Sequence, residues 1–253
     1  METALTIAGS DPSGGAGLQA DLKVFKELGV HGLSVPTALT AQNTSMVKGF
    51  SPIAPSFIEE QLRVLMADMR PAALKTGMLA TTDAVRAIVP VLREFALGNL
   101  VVDPVSVSSS GALLMEEGGL DVIMEQLFPL AAVITPNIYE ASVLAGLPIE
   151  TPEEMEAGAR ALKETGPGVV VVTGGHLKGV AMDIFFDGRQ MVRISAEMME
   201  GEYHGTGCVF SAAIAAFLAK GAPALKAVEE AKKFVSQKIR GAFHPGKGMG
   251  ILL

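Results

Sequence analysis

The sequence predicts an α/β fold, a mostly parallel central sheet with helices on both faces. Three features predict it. Short runs dense in Val, Ile and Leu recur along the chain, too continuous for strands buried on one face only. Stretches with apolar residues at helical spacing alternate with these runs, as in βαβ units. The strand-like runs repeatedly end in loops carrying Gly, Asp or Asn.

Taken in order, residues 5–8 read as a short buried strand leading into a glycine-rich loop. Residues 18–28 form a helix with Leu18, Leu22, Phe25 and Leu28 on one face and Gly29 at its C-cap. A strand over 33–39 follows, then a helix over 55–69 with Pro55 near its first turn. A strand over 73–76, a helix over 82–95 and a buried strand over 100–104 come next. Strands over 133–137 and 169–175 repeat that design, separated by helices over 120–127, 139–144 and 152–164. Residues 183–186 and 191–194, joined by Asp187-Gly188-Arg189-Gln190, read as a hairpin. Helices over about 207–220 and 222–240 close the chain. With no linker tract and no internal repeat, residues 1–253 are expected to form one domain.

Composition narrows the function. The 20 basic and 27 acidic residues give a net charge of −7, the wrong sign for a nucleic-acid footprint. Aromatic residues are 5% with no Trp, which argues against a base-stacking surface. One cysteine, Cys208, excludes an internal disulfide framework and a cysteine-rich zinc site. The opening residues lack a basic start and a cleavage site, and no apolar run reaches membrane-spanning length, so a cytoplasmic protein is expected.

In such a sheet ligands bind beyond the carboxyl ends of the strands, so the loops there are the places to look. The first, residues 9–17, fits neither the dinucleotide fingerprint nor the P-loop pattern and carries little alone. The segment Gly205-Thr206-Gly207-Cys208 opens an apolar helix. Its small residues leave backbone N–H groups free at the positive end of the helix dipole, suited to a phosphoryl group gaining charge. Cys208 on that first turn is expected to have a lowered thiol pKa, the alternative being a structural buried cysteine. Asn137 and Glu140, three residues apart, share a helix face. They read either as a magnesium site working through water or as an N-cap with a solvated Glu. Asp103 at another strand end offers a second carboxylate, and His176 and His204 fall in loops near this edge.

These pieces together resemble the bacterial hydroxymethylpyrimidine/phosphomethylpyrimidine kinases, a branch of the ribokinase-like family. The resemblance is carried by residues 4–23, 37–44, 75–80, 102–105, 134–137 with Glu140, 174–177 and 204–208. It implies a three-layer ribokinase-like fold, use of ATP and Mg²⁺, and phosphorylation of 4-amino-5-hydroxymethyl-2-methylpyrimidine and then of its monophosphate, in thiamine biosynthesis. It also implies a homodimer. Cys208 maps onto the catalytic position and Gly205, Thr206 and Gly207 onto the anion hole. Asn137, Glu140, Thr173 and Gly175 map onto the nucleotide side, with Glu140 and Asp103 at the metal. Gln42, Met78, Gly9, Ala16, Asp21 and Val105 map onto the substrate pocket.

Several family members carry Lys, placed near the phosphates, where Thr173 stands. Two other readings keep the fold: a pyridoxal kinase, and a ligand-binding member without turnover. Gln42 favours the pyrimidine, because one amide can both donate to a ring nitrogen and accept from the neighbouring amino group.

Overall fold

The computed structural model describes residues 1–108, 110–175 and 181–253. His176 therefore lies outside the described residues.

The chain opens with strand β1 (Thr3–Ser10), helix α1 (Gly17–Glu27), strands β2 (His31–Gln42) and β3 (Val47–Pro52) and helix α2 (Pro55–Asp68). It continues through β4 (Ala73–Thr76), α3 (Thr82–Glu94), β5 (Leu100–Val102), α4 (Gly119–Gln126) and β6 (Val133–Ile134). Helices α5 (Ile138–Ala145) and α6 (Pro152–Lys163) lead to β7 (Val169–Gly174) and the hairpin β8 (Ala181–Phe186) and β9 (Met191–Ala196). Strand β10 (Tyr203–His204), helices α7 (Thr206–Ala219) and α8 (Ala224–Arg240) and strand β11 (Gly250–Ile251) complete it.

A nine-stranded sheet runs in the order β3-β2-β1-β4-β5-β6-β7-β8-β9. From β2 through β7 neighbours are parallel, while β3, β8 and β9 add antiparallel edges. The chain steps from β1 to β2 on one side and then crosses to β4 on the other. The carboxyl ends of β1 and β4 therefore flank a topological switch point, where open α/β sheets leave a crevice.

Alternation along the strands divides the core in two. Leu5, Ile7, Val170 and Val172 face α2, α3 and α6, while Ala4, Val169 and Val171 face α1, α7 and α8. Helix α7 is buried from Val209 to Ala216 without a break, because it lies between the sheet and its two neighbouring helices. That explains why its sequence is apolar all round rather than striped. N-caps begin α3 and α6 where their sequences say: Thr81 accepts from Ala84 N at 3.2 Å, and Thr151 with Glu154 forms a capping box.

Four strands differ from expectation or lie beyond it. Strand β2 extends well past residues 33–39, held by β1 on one side and β3 on the other. Strand β3 and the short β10–β11 pair have no apolar alternation to announce them; β3 is a largely exposed edge, and β10 and β11 are paired by tertiary contact.

Under the switch point lies a buried ion pair. Lys75 and Asp21 are each 0% exposed, and Lys75 Nζ donates to both carboxylate oxygens of Asp21 at 2.8 Å. Thr6 Oγ1 donates to the same carboxylate at 2.5 Å. Asp21, expected in the substrate pocket, is instead sealed beneath it, with its oxygens taken by Lys75 and Thr6. Removing one partner of such a pair strands a charge in the interior, which costs about 3–5 kcal/mol. Asp21→Leu should lower unfolding stability by that order in a denaturant titration; an unchanged midpoint would show that the pair does not hold the fold.

Candidate functional site

Two glycine loops meet at the switch point. Gly17 has φ +57°, and a Cβ there would stand 2.3 Å from the Gly9 carbonyl oxygen, so the loop after β1 folds tightly on itself. Gly205 has φ +79°, and a Cβ there would stand 2.0 Å from the Gly15 carbonyl oxygen. Only glycine allows both the left-handed backbone and this approach. The contact sets the first turn of α7, carrying Thr206, Gly207 and the partly buried Cys208, directly against the first loop. The free N–H groups of that turn, with the helix dipole behind them, form an anion-binding end.

Cys208 departs from its expected ionisation. Burial pushes its thiol up to about 11, and the nearby Asp21 and Asp103 charges push the same way. Lys75 and the Gly17 N–H oppose this without overcoming it. The helix terminus was legible in the sequence, but the desolvation and the acids below it were not. Lys75 is the residue that sequence reasoning missed here. Burial works against its charge, yet Asp21 first, then Cys208 and Asp103, hold the ammonium above its ordinary range.

Around the corner, Asn137 caps α5 by accepting from Glu140 N at 2.9 Å, and Glu140 returns the bond from Asn137 N at 3.0 Å. The N-cap reading is thus realised, but Glu140 is not solvated: it is 3% exposed and also accepts from Ser106 N at 3.2 Å. Burial, then the Asp103 charge, raise its carboxyl to about 8 against these hydrogen bonds. Asp103 is buried too and accepts from Ser211 Oγ at 2.9 Å; burial is the main cause of its raised pKa. Two buried carboxylates that each resist ionising are charges a divalent cation would relieve; among the described residues no three potential ligands stand together, so an ion here would keep most of its ligands as water. Thr173 bridges to Asn137 from β7, and Gly175 lies exposed just beyond.

On the other side, Gly9, Met78 and Val105 come together. A Cβ on Gly9 would stand 2.8 Å from Met78 Sδ, and Met78 packs with Ala38, Leu114 and Val105 in a small apolar cluster. Ala16 donates its N–H to Asp11 Oδ2 at 2.9 Å. Gln42, at the end of β2, has its amide 2.8 Å from His204 Nε2 and 3.2 Å from Thr40 Oγ1. His204, expected in a loop, forms β10 and is 7% exposed, with Nε2 also 2.8 Å from Asp11 Oδ2. The site residues thus gather along one edge of the sheet, Asp21 excepted.

Comparison with known proteins follows the same lines. The sequence profile described as phosphomethylpyrimidine kinase matches residues 11–252. The hydroxymethylpyrimidine/phosphomethylpyrimidine kinase of Rhizobium meliloti is 45% identical over 252 residues, covering 98% of this chain and 94% of that protein. The thiamine biosynthesis bifunctional protein ThiED of Geobacter sulfurreducens is 45% identical over 248 residues, 97% of this chain. The chain spans 51% of that longer relative. Among solved structures, the ADP complex of Bacillus subtilis pyridoxal kinase superposes with a TM-score of 0.92 at 40% identity, covering 99% of this chain and 96% of that one. The fold is accordingly that of the ribokinase-like pyridoxal and phosphomethylpyrimidine kinases. A profile match across nearly the whole chain, joined to this identity with a relative of similar length, makes the chain a member of the phosphomethylpyrimidine kinase family.

Proposed function

We propose that the chain, as one kinase domain, transfers the terminal phosphoryl group of ATP to the hydroxymethyl of 4-amino-5-hydroxymethyl-2-methylpyrimidine, and then phosphorylates the resulting monophosphate, in thiamine biosynthesis. The observation that carries this is Gln42, a hydrogen-bonding amide at the sheet's ligand edge beside the helix end that can hold an anion. An aminopyrimidine presents a ring-nitrogen acceptor next to an amino donor, and one amide answers both. Gly9, Ala16, Met78 and Val105 line the ring's other faces. The free N–H groups of Gly205, Thr206 and Gly207 hold the phosphoryl group as its charge develops.

Asn137, Glu140, Thr173 and Gly175 border the nucleotide. Asp103 and Glu140 would hold Mg²⁺ through water, and that ion, when bound, supplies neutralisation of charge between the β- and γ-phosphates. The net charge of −7 gives no support to a nucleic-acid partner, and no helix among the described residues is long and apolar enough to cross a membrane. A cytoplasmic homodimer acting on small molecules completes the reading.

The similarity to a pyridoxal kinase favours one second reading, pyridoxal as acceptor. Steady-state kcat/KM for the aminopyrimidine alcohol, its monophosphate and pyridoxal separates the two. The pyrimidines should be preferred, and a preference for pyridoxal would overturn the proposal. Gln42→Met removes the amide's bonds to the substrate, worth about 1–3 kcal/mol, or roughly tenfold to a hundredfold in affinity. The ratio of the two kcat/KM values should move toward pyridoxal by that factor; a fixed ratio would mean that Gln42 does not read the ring.

Cys208 takes the hydroxyl proton only in its thiolate form. Since its thiol sits near 11, the thiolate fraction climbs about tenfold per pH unit through the neutral range. Turnover of the wild type should therefore rise from pH 7 to 9. Cys208→Ala should be about 10²-fold slower and lack that rise. A variant as fast as wild type would return Cys208 to packing. Glu140→Gln keeps the shape and removes the charge, so the Mg²⁺ concentration for half-maximal rate should increase while binding of the aminopyrimidine persists. An unchanged Mg²⁺ titration would leave Glu140 as a helix cap alone.

A further inference from the structure

The hydrogen-bond chain behind Gln42 decides which way round its amide lies, and the decision has a consequence for catalysis. The two ends of a primary amide have the same shape, so only their partners tell nitrogen from oxygen. As placed, Gln42 turns Nε2 toward His204 Nε2 at 2.8 Å and Oε1 toward Thr40 Oγ1 at 3.2 Å. The partners require the opposite. His204 Nε2 also stands 2.8 Å from Asp11 Oδ2. That carboxylate accepts from Ser13 N, Ser13 Oγ and Ala16 N, a set of donors suited to the ionised form. Although burial works to raise it, the His204 and Ser13 bonds hold Asp11 below the usual carboxylate range. An ionised carboxylate only accepts, so His204 Nε2 carries a hydrogen and donates. A nitrogen that donates to Asp11 cannot accept from an amide N–H.

The other flank gives the same answer independently. Thr40 Oγ1 donates its single hydrogen to the Ser10 carbonyl at 2.9 Å. It is left as an acceptor toward Gln42 and wants an N–H there. Turning the amide removes both conflicts: Nε2 donates to Thr40 Oγ1, and Oε1 shares the single His204 N–H with Asp11 Oδ2 in a bifurcated bond.

We infer that Asp11 and His204 are positioning residues that lock the Gln42 amide with Oε1 toward His204 and Nε2 toward Thr40, and so set which edge of the pyrimidine faces the anion-binding helix end. This rests on the proposed aminopyrimidine reading. Locked in this way, the amide keeps one lone pair and one N–H free, the complement of an aminopyrimidine edge. The amino group then docks on the His204 side and the ring nitrogen on the Thr40 side. In 4-amino-5-hydroxymethyl-2-methylpyrimidine the amino-bearing carbon adjoins the carbon that bears the hydroxymethyl. The amide orientation therefore sends the hydroxymethyl toward the segment that directly follows His204, namely Gly205 to Cys208. The reverse orientation would send it away.

The test uses the 4-oxo counterpart of the substrate, whose edge offers N–H and C=O in place of ring nitrogen and amino group. Against a locked amide it pairs only when flipped, with its hydroxymethyl pointing away. Wild type should phosphorylate the amino compound, bind the oxo compound as a competitive inhibitor, and turn it over with kcat/KM at least about tenfold lower. In His204→Leu and Asp11→Asn, each combined with Thr40→Val, neither flank holds the amide, and that preference should shrink by about tenfold or more relative to Thr40→Val alone. A parallel loss on both compounds, with the ratio unchanged, would reduce the two residues to structural supports and overturn the inference. Nitrogen-15 NMR of the wild type without substrate needs no variant to fold: His204 Nε2 should resonate as a protonated ring nitrogen, and an unprotonated signal would overturn the relay. If wild type phosphorylates neither pyrimidine, the functional reading fails, and the Nε2 signal still decides the relay.

Discussion

Everything at the functional edge stands on the buried pairing of Lys75 with Asp21. One partner comes from β4 and the other from α1, the strand and helix on either side of the switch point. A neutral interior would let that helix and strand slide; an ammonium clasped by one carboxylate fixes their relative position through directional bonds. The same ammonium is the positive charge that offsets Cys208 and Asp103. One side chain thus does two jobs, holding the floor of the site and tempering the acids that line it.

That balance is incomplete, and the shortfall is informative. Asp103 and Glu140 are held toward their neutral forms, chiefly by burial, and Cys208 toward its thiol. Positive charge brought beside such groups favours their ionised forms. On the proposed reading, the nucleotide side would be occupied together with a cation, whereas the side at Gln42 is satisfied by hydrogen bonds of its own.

Much of this was legible in the sequence. Strands buried on both faces announce themselves by unbroken runs such as Val169 to Val172, and the helices between them by apolar spacing. The helix end at Gly205 to Cys208 could be read from small residues before an apolar stretch, and the Asn137 cap from its spacing to Glu140. What escaped depends on partners distant in the chain. Asp21 and Lys75 are 54 residues apart, and nothing in either neighbourhood marks a buried charge. The thiol of Cys208 was expected to be acidic because a helix terminus shows in sequence while desolvation does not. The role of His204 was likewise invisible, since its strand exists only by pairing with Gly250 and Ile251.

The bond between Asp11 and His204 spans 193 residues. A ribosome adding about 5–20 residues per second takes on the order of 10–40 s to cover that interval. During this time the first glycine loop has emerged without the segment that closes it, and Asp11 is served only by its local donors. The nascent chain consequently gains the bond that orders this corner only once β10 has been made, in one late step of synthesis rather than gradually with length.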